Sequence, residues 1–298
     1  MALLYGEGEK AFIRLQEILK EINDMTLFAW QSAPSESQKY RGILARSASE
    51  FANAGDIVPS PDHRFNEEFV MTNRGLRLNA VPRKGPTENH ILNLKCQLRE
   101  NPGQNIGIFL IYHGGNGYAR DKPYEFAIDK RSKWVVSEAD GWRIKSIYIS
   151  KNITQQFSVS IDAIRHNAIR LRHGFDSIVI NALPTSLYDA ENMLFLVGGL
   201  SSYCAIFYMD SKVLDRTLWI VCARNENSVP WVSFLEPGLW EDIRSSFHHQ
   251  SSLLKLPEKE MLIAPSEMAS ISIALEERDE NEPVYCVDIH YEEEEEFD

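Results

Sequence analysis

Cysteine is scarce in this chain: there are four in 298 residues, widely scattered. That count excludes a disulfide framework, and Cys96, Cys204, Cys222 and Cys286 read as reduced thiols, three of them inside apolar runs. Long hydrophobic stretches are scarce too. The longest uncharged apolar segment, 193–209, has seventeen residues, the short edge of a membrane span. Gly198-Gly199 and Ser201-Ser202 interrupt it, and two buried strands joined by a turn explain it better than a spanning helix. The opening residues lack the basic region, apolar core and cleavage site of a secretory signal, so a cytoplasmic location is expected. The acceptor-like Asn152-Ile153-Thr154 has no meaning without a secretory route.

What is present is a core-forming composition, 44% hydrophobic with 14 Phe, 11 Tyr and 6 Trp, which excludes disorder throughout. The formal charge of −12 is concentrated at one end. Residues 276–298 carry twelve acidic side chains against Arg278, which leaves −1 for the rest. The run Glu292 to Glu296 cannot pack and reads as a solvated, disordered tail over 292–298. Residues 120–172 are locally basic, with Trp134, Trp142 and Tyr148 interleaved. Strands with solvated Lys and Arg on one side give the same composition, so no nucleic-acid partner and no membrane are expected.

Phe12, Leu15, Leu19 and Ile22 recur at spacings of three and four and predict an N-terminal helix with one apolar face. Leu27-Phe28-Ala29-Trp30 reads as a short buried extended segment. Ser47-Ala48-Ser49-Glu50 has capping-box spacing and predicts a second short helix ending near Gly55. Hairpins are expected around Asn73-Arg74-Gly75, Asn101-Pro102-Gly103, Asn225-Glu226-Asn227 and Asp279-Glu280-Asn281, and one more helix over 239–247. The irregular spacing of these units excludes a solenoid or propeller. The fold class expected is mainly β with an N-terminal helical segment, as β-sandwich-like or distorted-barrel domains. The expected divisions are 1–60 helical, 61–175 and 176–291 β-rich, and 292–298 tail.

Motifs for chemistry are weak. His113-Gly114-Gly115-Asn116-Gly117 is the best glycine-rich loop, but Tyr118-Ala119-Arg120 after it reads as strand, which favours a hairpin turn over a phosphate cradle. His248-His249 point apart on a helix, and His166 and His173 have no Cys or acidic partner at ligand spacing. There is no Gly-x-Ser-x-Gly elbow. The expectation is therefore no catalytic residue, no cofactor, no metal ligand and no enzyme. Two alternatives remain open: a β-module binding carbohydrate or another small molecule through Trp134, Trp142 or Trp231, and a hydrolase whose residues assemble only in space.

The stretch Leu3-Leu4-Tyr5-Gly6-Glu7-Gly8-Glu9-Lys10-Ala11-Phe12-Ile13-Arg14-Leu15-Gln16-Glu17-Ile18 resembles a hallmark of fungal heterokaryon incompatibility (HET) domain proteins, and Leu27-Phe28-Ala29-Trp30 resembles the block that follows it. Gly42-Ile43-Leu44-Ala45, Phe51-Ala52, Gly55-Asp56-Ile57, Thr72-Asn73-Arg74-Gly75-Leu76-Arg77 and Gly117-Tyr118-Ala119-Arg120 are similar to the region beyond. The resemblance is specific to about residue 78 and looser to about 130. It implies a portion C-terminal to most of the HET domain, without that domain's proposed active-site positions. The implied role is non-enzymatic: protein–protein contact or regulation in non-self recognition or cell-death signalling. The implied partner is a protein, for example an upstream HET-type domain. The motif positions Tyr5, Gly6, Glu7, Gly8, Phe12, Leu15, Phe28 and Trp30 receive no assigned role. The face of Phe12, Leu15, Leu19 and Ile22 is expected to be either partly exposed or folded back on the β-region.

Overall fold

The computed structural model describes residues 8–19, 25–34, 38–61, 68–129, 145–172, 177–183, 185–197, 204–211, 216–224, 230–234, 269–276 and 283–291. The helix expected over 239–247 and the acidic tail lie outside them. The protein is mainly β, with an N-terminal helix and a curled half-barrel sheet. Its two compact units are Met1–Ile161 and Asp162–Asp298, so the segment 1–60 shares a unit with the strands that follow it.

The first unit holds helix α1 (Gly8–Leu19) and strands β1 (Ile57–Pro59), β2 (Phe69–Thr72), β3 (Gly75–Ala80), β4 (Arg83–Lys84), β5 (His90–Leu98), β6 (Asn101–Gly114), β7 (Gly117–Asp121), β8 (Ala127–Asp129) and β9 (Lys145–Ile149). They form one sheet in the order β1-β5-β6-β7-β9-β3-β2, with β4 on β5 and β8 on β6. In β3, Leu76, Leu78 and Ala80 are buried while Arg77 and Asn79 are exposed, the two-residue period of a sheet with one covered face. The β2–β3 hairpin turns at Asn73-Arg74 as its sequence suggests. The next turn does not fall on Asn101-Pro102-Gly103. It falls at Arg99-Glu100, and β6 already pairs from Asn101. Pro102 is tolerated because it lies at the exposed start of the strand, where its missing N–H costs nothing, and the Gly103 N–H donates to Gln97 Oε1 at 3.0 Å.

Two local expectations are corrected. The segment Leu27–Trp30 is not wholly extended: Met25–Phe28 is a 3-10 turn, closed by Ala29 N–H donating to the Thr26 carbonyl at 2.9 Å. The Ser47–Glu50 capping box does not form. Ala48–Phe51 is a single 3-10 turn and the Ser47 side chain makes no cap bond, its Oγ lying 2.6 Å from Ser49 Oγ. Glu50 accepts instead from the buried Arg41 guanidinium and from the Arg46 N–H, one residue before Ser47.

Helix α2 (Gln155–Arg165) spans the boundary between the units. The second unit carries β10 (Ile169–Arg172), β11 (Ser177–Leu183), β12 (Tyr188–Asp189), β13 (Leu194–Phe195), β14 (Cys204–Ser211), β15 (Arg216–Arg224), β16 (Pro230–Phe234), β17 (Ala269–Glu276) and β18 (Val284–Tyr291). One sheet runs β12-β13-β10-β18-β17 and the other β11-β14-β15-β16. Ile169, Leu171, Phe195 and Val287 of the first share a core with Ile220 and Cys222 of the second, the arrangement of a sandwich. β15 pairs with β16 and β17 with β18, both antiparallel as expected, while the turns expected at Asn225-Glu226-Asn227 and Asp279-Glu280-Asn281 lie outside the described residues. The apolar run 193–209 supplies two strands, but they are not a hairpin: β13 pairs with β10 and β12, and β14 with β11 and β15. No described helix is long and apolar enough to cross a membrane.

Candidate functional site

Helix α1 carries the start of the motif. Gly8 is its first residue, and Tyr5, Gly6 and Glu7 lie outside the described residues. The described part of the expected apolar face is partly exposed, one of the two outcomes expected for it. Leu15 is 41% exposed and Ile18 47%, whereas the buried residue is Gln16. Its amide is paired twice with the backbone of one residue: Nε2 donates to the Ala45 carbonyl at 2.7 Å and the Ala45 N–H donates to Oε1 at 2.9 Å. Phe12, half-buried, meets Phe51 edge-on at 6.3 Å, and ion pairs Glu9–Arg46 and Glu17–Lys151 flank the seat. Helical spacing places Gln16 and Phe12 on one side and Leu15 and Ile18 beside it. Polar clamping therefore decides the rotation of the helix. The side chains of Leu19 and Ile22 lie outside the described residues.

Phe28 and Trp30 are fully buried and sit at the middle of a cation cluster. Arg41 and Arg120 form an antiparallel bridge, each N–H donating to the other's carbonyl at 2.9 Å, so their side chains leave the sheet on the same face. Both guanidinium groups lie over the Trp30 ring, Arg120 at 3.8 Å and Arg41 at 5.1 Å from its centroid. The indole N–H donates to the Ile43 carbonyl at 2.8 Å. Arg120 donates Nη1 to the Phe28 carbonyl at 3.0 Å and Nη2 to the Trp30 carbonyl, satisfying the backbone where the 3-10 turn ends. Its Nε is buried with no partner among the described residues. Glu50 accepts from Arg41 Nη2 at 2.9 Å and from the Arg46 N–H at 2.7 Å. Burial, and then the charge of Arg41, push Arg120 down to about 9, and Glu50 pulls the other way. The cluster is a structural keystone: cations desolvated against an indole and carbonyls are worth about 2 kcal/mol or more per cation–π contact. Gly42 lies between Arg41 and Ile43, and a Cβ there would come within 2.2 Å of the Lys151 carbonyl oxygen. Only glycine lets this segment pass so close.

The blocks of the resemblance therefore converge. Gln16 meets Ala45, Trp30 meets Ile43, and Arg120 meets Phe28 and Trp30 across about ninety positions of sequence. Arg41 and the pairing role of Gln16 were not singled out from the sequence, where nothing marks an arginine as buried, and Glu50 entered only as a capping-box residue.

The glycine-rich loop is the β6–β7 hairpin turn, with Gly115 and Asn116 at its tip. Arg74 caps it, donating Nη2 to the Gly115 carbonyl at 2.7 Å while its guanidinium stacks 4.2 Å from the Tyr148 ring. Gly117 makes room for an imidazole: a Cβ there would sit 2.6 Å from His113 Cε1. The half-buried His113 ring meets Phe157 edge-on at 5.5 Å, and its Nε2 lies 3.4 Å from Ser150 Oγ. Burial pushes His113 below its ordinary value and the charge of Arg74 adds to that, whereas hydrogen bonds to the backbone of His113 and Tyr118 oppose it. The backbone of Ser150 is held on both sides, its N–H donating to the Tyr118 carbonyl and its carbonyl accepting from the Ile43 N–H, both at 2.8 Å.

The other candidates do not assemble with these. Trp134, Trp142, His173, His248 and His249 lie outside the described residues, His166 is exposed, and Trp231 is half-buried on β16. Cys96, Cys222 and Cys286 are buried thiols outside any disulfide. Burial pushes the Cys286 thiol up to about 11, with its hydrogen bond to Glu276 acting in the same direction. Among the described residues, no three His, Cys, Asp or Glu side chains gather as a metal-binding group. No family model, curated protein or solved structure matches the chain.

Proposed function

We propose that this chain is a non-enzymatic contact or regulatory region of the heterokaryon-incompatibility type, and that α1 docks onto a partner protein domain of that type. The observation that carries the reading is the rotation of α1: its polar side is clamped to Ala45, which leaves Leu15 and Ile18 of the motif exposed. Two large aliphatic side chains held outward on an anchored helix suit a helix-on-domain contact.

The test is calorimetric titration of the full chain with a separately produced HET-type domain. Burying each aliphatic side chain is worth about 1.5–3 kcal/mol. Replacing both, L15E with I18E, is expected to weaken binding roughly a hundredfold or more. Absence of binding by the wild type, or equal affinity of the double variant, overturns the reading.

A further inference from the structure

We propose that Ser150 is a base-assisted nucleophile that accepts an acyl group from an activated ester or thioester, with His113 as its base. The inference is independent of the contact role, and it requires one acyl transfer per chain rather than turnover. It rests on a pair brought together from 37 positions apart, with Oγ and Nε2 3.4 Å from one another. Neither partner sits there loosely. The serine backbone is hydrogen-bonded through both its N–H and its carbonyl, and the imidazole occupies space that only a glycine at 117 leaves free. The ring is also held edge-on against Phe157 at 5.5 Å, which fixes its plane beside the serine. In the tautomer the reaction needs, the ring N–H is on Nδ1 and Nε2 accepts from Oγ–H. An imidazole disfavoured as a cation by burial is neutral near pH 7 and free to take a proton. The 3.4 Å separation is that of a resting pair, which tightens when a reactant is bound.

In the step, Oγ attacks the carbonyl carbon of the donor and its proton passes to His113 Nε2. The new Oγ–C bond forms, the C–S or C–O bond of the donor breaks, and His113 returns the proton to the leaving thiolate or alkoxide. The products are the Ser150 ester and a free thiol or alcohol, with no oxidant, reductant or cofactor consumed. Phe157, 37% exposed and edge-on to the imidazole, offers an apolar surface to the acyl chain.

The experiment treats the full-length chain with p-nitrophenyl acetate and maps acetylation by peptide mass spectrometry across pH. Ser150 is expected to carry the acetyl group, with a rate that climbs as His113 loses its proton and levels off by about pH 7. Free serines instead react ever faster with rising hydroxide. H113Q is expected to slow Ser150 acetylation about a hundredfold or more, with lysine acetylation unchanged. Because H113Q can loosen the hairpin, the wild-type pH profile serves as a readout that needs no variant. The proposal is overturned if Ser150 reacts no faster than other serines, if its rate shows no plateau, or if a natively folded H113Q labels as fast as wild type.

Discussion

Replacing Glu50 with Gln removes a carboxylate that faces two guanidinium groups in the interior of the first unit. The Arg41 side chain is 1% exposed and that of Glu50 12%, so solvent cannot take over the lost interaction. Arg41 and Arg120 already repel one another, and burial with Arg41's charge is what depresses Arg120 to about 9. Breaking such a pair from one side costs about 3–5 kcal/mol, because the remaining charge stays buried. With about 3 kcal/mol lost from a unit of this size, the melting temperature should fall by roughly 6–12 °C. Adding R41M to E50Q removes one of the two like charges along with its need for a counter-ion. The double variant should recover to within about 1.5 kcal/mol of wild type. Urea unfolding of the full chain, compared at constant m-value, measures both steps. Exchange of the Trp30 indole proton, bonded to the Ile43 carbonyl, shows that the loss lies in this cluster. A loss below about 1 kcal/mol for E50Q, or a double variant no more stable than the single, would refute the keystone account.

Two further outcomes follow from the same contacts. Q16L leaves the Ala45 N–H and carbonyl buried without partners, about 1–3 kcal/mol for each group, so trypsin should cut at Lys10 and Arg14 much faster than in wild type. L15A, on the exposed side, should leave that rate unchanged, and equal cleavage of Q16L and wild type would count against the clamp. His113 has a folded pKa below its unfolded value of 6.5, so the unfolded chain binds the proton more readily. Its contribution to stability is present above pH 6.5 and is lost as pH falls through the lowered folded value. The urea midpoint of the first unit should therefore drop between pH 7 and pH 5, with a shallower drop in H113Q.

Patterns of period two and turn chemistry were enough to read the mainly β class, the hairpin at Asn73-Arg74, the antiparallel pairs β15–β16 and β17–β18, and a helix near the N-terminus. These are local properties, set by alternation and by residues that suit turns. The rotation of α1 was not legible. Periodicity favours the apolar stripe, and Phe12 does meet Phe51, yet the buried residue is a glutamine, because Ala45 offers it both a donor and an acceptor. The capping box at Ser47 did not form either, since Glu50 accepts from the Arg46 N–H and from the guanidinium of Arg41, which pairs with β7.

The sequence by itself determined the class of structure, the sparse thiols and the segments resembling HET-type proteins, because composition and short-range pattern carry those. Only the tertiary structure decided which residues meet. It turned Phe28 and Trp30 from motif letters into the anchors of two buried arginines, and set Ser150 beside His113. Those pairings depend on strand order and on the space left by Gly42 and Gly117, and long-range register of that kind leaves no local trace in the chain.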